Sequence, residues 1–188
     1  MAQARGGKRV VYFVDASHFV LASFLGWVWC FVRLYVRAAS GRQRYNVLGA
    51  LNAVTHELLT EVDTTYITAT SVCALLRTTA GRGARVPVTL VLDNARYQRC
   101  ALVTGTAQAL GIELLFLPSY SPNLNLIERL WRFVRKQSLD STYYEDFGQF
   151  TAAIDRCLDG LHTVHKGEMQ KLLTLKFQTF ENVPLLAA

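Results

Sequence analysis

Two apolar runs of this chain each end on an aspartate, and this pattern requires a fold with a buried sheet. The first run covers residues 10–14 and stops at Asp15, and the second covers residues 88–92 and stops at Asp93. A continuous apolar run predicts a strand that is covered on both faces, as in the parallel part of an α/β sheet. Each aspartate is then expected where its strand reaches the edge of the sheet.

A third carboxylate, Glu128, lies in a segment that predicts an amphipathic helix over residues 126–136. The apolar residues of this segment recur at helical spacing and form one stripe, which consists of Ile127, Leu130, Trp131 and Val134. Glu128 lies beside the stripe, with Arg132 and Arg135 on its own face. The helix could therefore present an acid next to guanidinium groups that suit phosphate oxygens.

Three carboxylates delivered by two strands and a helix predict a metal site. Hard divalent cations such as Mg²⁺ prefer carboxylate oxygens, and two ions about 3.5–4 Å apart can hold both the attacking and the leaving oxygen of a phosphodiester. We therefore predict that Asp15, Asp93 and Glu128 are both the catalytic residues and the metal ligands.

Each acid also has a structural alternative. Asp15 could be a turn residue at a strand end, and Asp93 with Asn94 could cap a helix that follows. With Asn125 as N-cap, Glu128 would complete a capping box, or it could form a surface pair with Arg132.

Three segments of the chain resemble the catalytic blocks of DDE transposases, and in particular those of the bacterial insertion-sequence branch of the mariner-like superfamily. They are Phe13-Val-Asp15-Ala-Ser-His-Phe19, Leu90-Val-Leu-Asp93-Asn94-Ala-Arg96-Tyr97 and Leu117-Pro-Ser-Tyr-Ser121-Pro122-Asn-Leu-Asn125-Leu-Ile-Glu128-Arg-Leu-Trp131. The resemblance extends to Asn46-Val-Leu-Gly-Ala50-Leu-Asn and to the 34 residues between Asp93 and Glu128.

The resemblance implies a transposase catalytic domain that cleaves DNA at transposon ends and transfers the strands into target DNA. It implies two Mg²⁺ or Mn²⁺ ions, with Asp15 bridging them, and double-stranded DNA and a homodimer as partners. Full-length relatives carry an N-terminal helix-turn-helix region, which we expect to be absent here. The expected organisation is a basic tail (1–9) and an RNase H-like domain with C-terminal helices (10–188). The alternative is a non-catalytic DNA-binding remnant that inhibits transposition.

The charge of the chain agrees with a polyanionic partner, because 20 Lys and Arg residues against 14 Asp and Glu residues leave a net charge of +6. The candidate DNA-binding residues are Arg42, Arg44, Arg96, Arg99, Arg132 and Arg135. For each of them, an ordinary solvated surface position is the alternative. Asn94 and His18 are candidates for supporting the metal site, although His18 could equally be a structural histidine.

The order of predicted elements indicates an α/β, RNase H-like fold in which an antiparallel three-strand meander precedes alternating helices and parallel strands in one mixed sheet. The predicted strands are 10–15, 27–36, 45–53, 86–92 and 112–117, with a peripheral strand within 57–67. The predicted helices are 70–79, 96–110, 126–136, 145–161 and 168–175.

The uncharged stretch 16–32 is not predicted to span a membrane, because polar residues interrupt it and it is rich in strand-forming residues. The chain shows neither a glycine-rich phosphate loop nor a nucleophile elbow, so no small-molecule cofactor is expected. We expect a cytoplasmic protein that associates with the bacterial nucleoid when it acts.

Overall fold

The computed structural model describes residues 1–21, 43–118, 122–140 and 142–177. In these residues five strands form one sheet: β1 Val10–Val20, β2 Arg44–Asn52, β3 Leu58–Asp63, β4 Val88–Leu92 and β5 Ile112–Phe116. Their order across the sheet is β3-β2-β1-β4-β5. The first three strands are antiparallel neighbours, whereas β4 and β5 run parallel to β1. The mixed sheet of the predicted RNase H-like fold is thereby confirmed.

The meander consists of β1, β2 and β3, which overlap the predicted strands 10–15 and 45–53 and the segment 57–67. Strand β1 continues past Asp15 to Val20, because its second half pairs with the start of β2, as in the pair Phe19 and Tyr45. β2 lies directly between β1 and β3, so the segment predicted to be peripheral supplies the third strand of the meander. The predicted strand 27–36 lies outside the described residues.

The helices cover both faces of the sheet. They are α1 Ala2–Arg5, α2 Ala69–Ala80, α3 Ala101–Ala109, α4 Ile127–Ser138, α5 Phe147–Asp159 and α6 Lys166–Leu172. The helix predicted over 96–110 is divided into a 3₁₀ turn, Arg96–Gln98, and α3, because Cys100 between them has an extended backbone. The other predicted helices are present, with ends that differ by a few residues.

Alternation along the strands divides the core into two layers. On one face of β1, Val11 and Phe13 pack in the layer that contains α4, α5 and α6. On the opposite face, Tyr12 and Val14 pack in the layer that contains α2 and α3. All five residues of β4 are buried, as expected for a parallel strand with helices on both faces.

Residues 1–9, which were expected to form a basic tail, include the single helical turn α1, and its Ala4 is buried. Arg9 at the start of the sheet contacts Thr89 and Glu113. Of the stretch considered for a membrane span, residues 16–20 belong to β1 and residues 22–32 lie outside the described part. Among the helices of the described residues, none combines the length and the apolar character needed to cross a bilayer.

Candidate metal centre

Asp15 and Asp93 are brought side by side by the parallel pairing of β1 with β4. The paired residues extend to Val14 opposite Leu92, and each aspartate is the next residue of its chain segment. Side chains alternate along a strand, and Phe13 and Val91 pack in the layer of α4. Both carboxylates therefore lie at the carboxyl end of the parallel strands, on the face that α4 covers.

Glu128 reaches the same point from the first turn of α4. The predicted apolar stripe of this helix is confirmed, because Ile127, Leu130, Trp131 and Val134 are each 0% exposed. The stripe anchors α4 on the sheet, and Glu128 beside it lies over the two aspartates. One carboxylate oxygen from each of Asp15, Asp93 and Glu128 lies within 4.8 Å of the other two. The three predicted acids thus form one cluster.

The structural alternatives for the acids do not describe this geometry. The N-cap of α4 is Leu126 and no side chain caps the helix, so Glu128 does not belong to a capping box with Asn125. The N-cap of the 3₁₀ turn after Asp93 is Ala95, and the N-cap of α3 is Cys100, so Asp93 caps neither element.

The pair Glu128–Arg132 is not formed either. In the described residues the ion pairs are Arg9–Glu113, Arg82–Glu57 and His165–Glu168.

Gly49 allows α4 to approach the sheet at the level of the acids. This residue of β2 pairs with Asp15 and faces the same side of the sheet. A Cβ atom at position 49 would lie 2.8 Å from Cζ2 of Trp131 and 2.9 Å from Cδ1 of Ile127. Only glycine leaves room for the two anchoring side chains of α4, which hold Glu128 above the aspartates. A lone glycine inside a strand is a known signal of such close approach, although no role was assigned to it from the sequence.

Burial and the charges of the neighbouring acids raise two pKa values in the cluster. The pKa of Asp15 rises from 3.8 to about 7, first because of burial and then because of the charges of Glu128 and Asp93. The pKa of Glu128 is also raised, by burial and by Asp93, while Arg135 and Arg132 act in the opposite direction. Buried carboxylates with raised pKa values at one point indicate a site that a cation would stabilise.

Arg135 is the predicted arginine that the structure fixes beside the cluster. Its guanidinium group donates to Oγ of Ser17, at a distance of 2.9 Å, and lies 5.7 Å from the ring centre of Phe19. Ser17 and Phe19 follow Asp15 on the same face of β1. Arg132 is exposed one helical turn after Glu128. The positive charges of both arginines are close enough to Glu128 to offset part of the rise in its pKa.

The remaining predicted arginines lie further from the acids or outside the described residues. Arg96 is exposed in the turn after Asp93, and Arg99 places its guanidinium 4.9 Å from the ring centre of Phe116. Arg44 pairs with Val20, which at about 3.3 Å per residue lies about 16 Å along β1 from Asp15. Arg42 belongs to the part of the chain that the structure does not describe.

His18 lies away from the cluster, whereas Asn94 is next to Asp93 in the chain. His18 points to the face opposite Asp15, where its Nδ1 atom lies 2.7 Å from Oδ1 of Asn46. Asn46 in turn donates to the carbonyl oxygen of Thr65. The structure therefore does not bring His18 to the cluster. Asn94 follows Asp93 directly and is exposed.

Asn125 contacts the cluster, a position that sequence reasoning considered only as a helix cap. Its side-chain amide is 1% exposed and donates to the carbonyl oxygen of Val14 and to Oδ1 of Asp93, at 3.2 Å in each case. Both acceptors are distant in sequence, so no local pattern could have revealed these contacts.

The sheet order and the three converging acids define an RNase H-like domain with a three-carboxylate centre. The family model described as DDE superfamily endonuclease matches residues 10–151. The chain therefore belongs to this family. A comparison with curated proteins found no match.

Several solved structures resemble the whole described fold at low sequence identity. The Mos1 strand transfer complex is 14% identical with a TM-score of 0.62, and the match covers 93% of this chain and 56% of that chain. The Mos1 mariner paired end complex with Mn is 16% identical with a TM-score of 0.60, covering 93% and 57%. The simian T-cell lymphotropic virus intasome, in complex with the PP2A regulatory subunit B56 gamma, is 12% identical with a TM-score of 0.55, covering 82% and 48%. This chain thus spans about half the length of the chains it resembles, and the likeness establishes the fold.

Proposed function

We propose that this chain is the catalytic domain of a transposase, which cleaves phosphodiester bonds at transposon ends and transfers the strands into target DNA. The observation that carries the proposal is the convergence of Asp15, Asp93 and Glu128, with oxygens within 4.8 Å of one another, in a member of the DDE superfamily endonucleases. The similar structures described as a strand transfer complex and a paired end complex with Mn support this substrate and this chemistry.

The three carboxylates fit Mg²⁺ or Mn²⁺, because they supply hard oxygen donors, and their burial and mutual repulsion favour a bound cation. We propose two ions, which Asp15, Asp93 and Glu128 would hold between them. When bound, such ions would lower the pKa of the attacking hydroxyl or water and stabilise the charge that develops around phosphorus.

The chain's own residues would bind and orient the DNA around these acids. Arg135, held by Ser17 and Phe19, and the exposed Arg132 are placed to bind phosphate oxygens next to the scissile bond. Arg96 could bind the same strand from the other side of the cluster, since it follows Asp93 by three residues. Arg42, Arg44 and Arg99 are proposed to contact DNA further away.

Double-stranded DNA is the proposed partner, and we propose a homodimer because two transposon ends have to be joined to one target. The proposed location is the bacterial cytoplasm, at the nucleoid when the protein acts. We also propose that Asn94 and His18 support the site. His18 would do so indirectly, because it belongs to the same strand as Asp15 and faces the other side of the sheet. The alternative of a non-catalytic remnant is not favoured, because the acids are assembled rather than dispersed.

Metal-dependent nicking of supercoiled plasmid tests the proposal without requiring a known recognition sequence. The wild-type chain should nick the plasmid with Mg²⁺ or Mn²⁺ and not with EDTA. Asp93→Asn should be inactive while its circular dichroism spectrum remains that of the wild type. Asp140→Asn, which removes an exposed carboxylate two residues beyond the C-terminal end of α4, is the matched control and should nick normally. Equal nicking by wild type and Asp93→Asn, or nicking that survives EDTA, would contradict the proposal.

A further inference from the structure

Asn125 contacts all three segments that carry the acids. Its Nδ2 atom donates to Oδ1 of Asp93 and to the carbonyl oxygen of Val14, the residue before Asp15, at 3.2 Å each. The backbone carbonyl oxygen of Asn125 accepts a hydrogen bond from the backbone N–H of Glu128 at 3.3 Å. One buried residue therefore links β1, the end of β4 and the first turn of α4.

These contacts oppose the mutual repulsion of the carboxylates. Three negative groups at this separation would move apart, or rotate away from one another, if nothing held them. The hydrogen bond from Nδ2 to Asp93 is charge-assisted and restricts the carboxylate to one orientation. The bond to Val14 restrains the strand immediately before Asp15. The side-chain amide of Asn125 therefore helps to fix the position of Asp93 relative to Asp15 before any metal binds.

The acceptor end of the same amide gives an independent indication. Among the described residues, Oδ1 of Asn125 has no hydrogen-bond partner, although it is fully buried. A buried acceptor without a partner is unfavourable for folding, and an apolar side chain of similar size would avoid this cost. Stability alone therefore does not account for an amide at position 125, whereas its donor contacts to Asp93 and Val14 do.

We propose that Asn125 is a positioning residue of the metal centre: it holds the three carboxylates in the arrangement that binds the cations. This inference rests on the proposed function of Asp15, Asp93 and Glu128 as metal ligands. Removal of the donor is expected to weaken cation binding before any DNA is present, because partners that orient metal ligands typically contribute about 10–100-fold to metal affinity.

Calorimetric titration of the DNA-free protein with Mn²⁺ tests the role of Asn125. Asn125→Leu keeps the branched shape of the side chain and removes the donor, and it should raise the dissociation constant for Mn²⁺ by about 10–100-fold. Asn125→Ser, which is too short to reach both acceptors, should show the same direction and serves if the leucine variant does not fold. Circular dichroism of each metal-free variant shows whether the fold is retained.

Asn46→Leu is the matched control, because Asn46 is also a buried amide of the sheet, 2% exposed, but bonds to His18 and Thr65 on the opposite face. It should lower thermal stability and leave the Mn²⁺ dissociation constant within about threefold of the wild type. Two results would overturn the role of Asn125 and leave the metal centre in place: wild-type Mn²⁺ affinity in a folded Asn125 variant, or an equal loss of Mn²⁺ affinity in Asn46→Leu. An absence of Mn²⁺ binding by the wild type overturns the metal centre itself, and with it this inference.

Discussion

A methyl group at position 49 should displace α4 and, with it, Glu128. In Gly49→Ala the new Cβ atom would lie 2.8 Å and 2.9 Å from two carbons of Trp131 and 2.9 Å from Cδ1 of Ile127. Non-bonded carbons are normally about 3.5–4.0 Å apart, so the helix and the strand must separate by about 0.7–1 Å. Trp131 and Ile127 are both fully buried and cannot rotate away. The displacement must therefore be taken up by the backbone of α4.

The size of the effect follows from this overlap. Overpacking of a well-filled core costs about 1–3 kcal/mol, and alanine recovers about 0.5–1 kcal/mol of this because it is less flexible than glycine in the unfolded chain. We expect a net loss of about 1–2 kcal/mol in the free energy of unfolding. Activity should suffer more, since a misplacement of about 1 Å can lower a catalysed rate about 100-fold.

Urea unfolding and plasmid nicking measure the two effects separately. Gly105→Ala is the matched control, because Gly105 is exposed in α3 and a Cβ atom there would have no neighbour within 4 Å. This control should gain about 0.5–1 kcal/mol and nick at the wild-type rate. If Gly49→Ala unfolds at the wild-type urea concentration and also nicks at the wild-type rate, the close approach at Gly49 does not set the position of Glu128.

Three further results are expected. The pKa of Asp15 is raised from 3.8 to about 7, so between these pH values the metal-free folded protein holds a proton that the unfolded chain releases. Its free energy of unfolding should therefore fall by on the order of 2–4 kcal/mol between pH 4 and pH 7. Urea titrations that show no such fall would contradict the raised pKa of Asp15. For the same reason, Asp15→Asn should raise the melting temperature of the metal-free protein at pH 8 and abolish its further rise with Mn²⁺, whereas retained Mn²⁺ stabilisation would exclude Asp15 as a ligand. Arg135→Gln should weaken DNA binding and reduce the slope of log affinity against log salt by about 0.9, which an unchanged slope in filter-binding assays would refute.

The part of the site that sequence could predict consists of local patterns. The runs before Asp15 and Asp93 predicted buried strands that each end on an acid, and the spacing around Glu128 predicted the face of α4 that packs on the sheet. Parallel strands whose carboxyl ends carry acids bring those acids to one edge, so convergence followed from the pattern and from the resemblance together. What the structure added is the distance, with oxygens within 4.8 Å of one another.

The extent of β1 could not be predicted, because it depends on tertiary contacts. An apolar run that stops at Asp15 predicts that the strand ends there. The strand nevertheless continues to Val20, because β2 pairs with it along its whole second half. Ser17 within this half is 0% exposed and accepts a hydrogen bond from Arg135, which lies 118 positions later in the chain. Sequence alone does not reveal such a distant partner, so β1 was predicted to be shorter than it is.

Asn125 shows the same limit and explains how the site is built. In sequence, an asparagine three residues before a glutamate is the pattern of a capping box, and that alternative was reasonable. In the structure the asparagine donates instead to Val14 and Asp93, which lie 111 and 32 positions away. A helix cap would have stabilised α4 by itself, whereas the observed contacts connect the start of α4 to both strands. Burial, and after it the charges of Glu128 and Asp93, raise the pKa of Asp15 in the metal-free fold. Gly49 and Asn125 are two residues through which the packing of α4 sustains this arrangement of the acids.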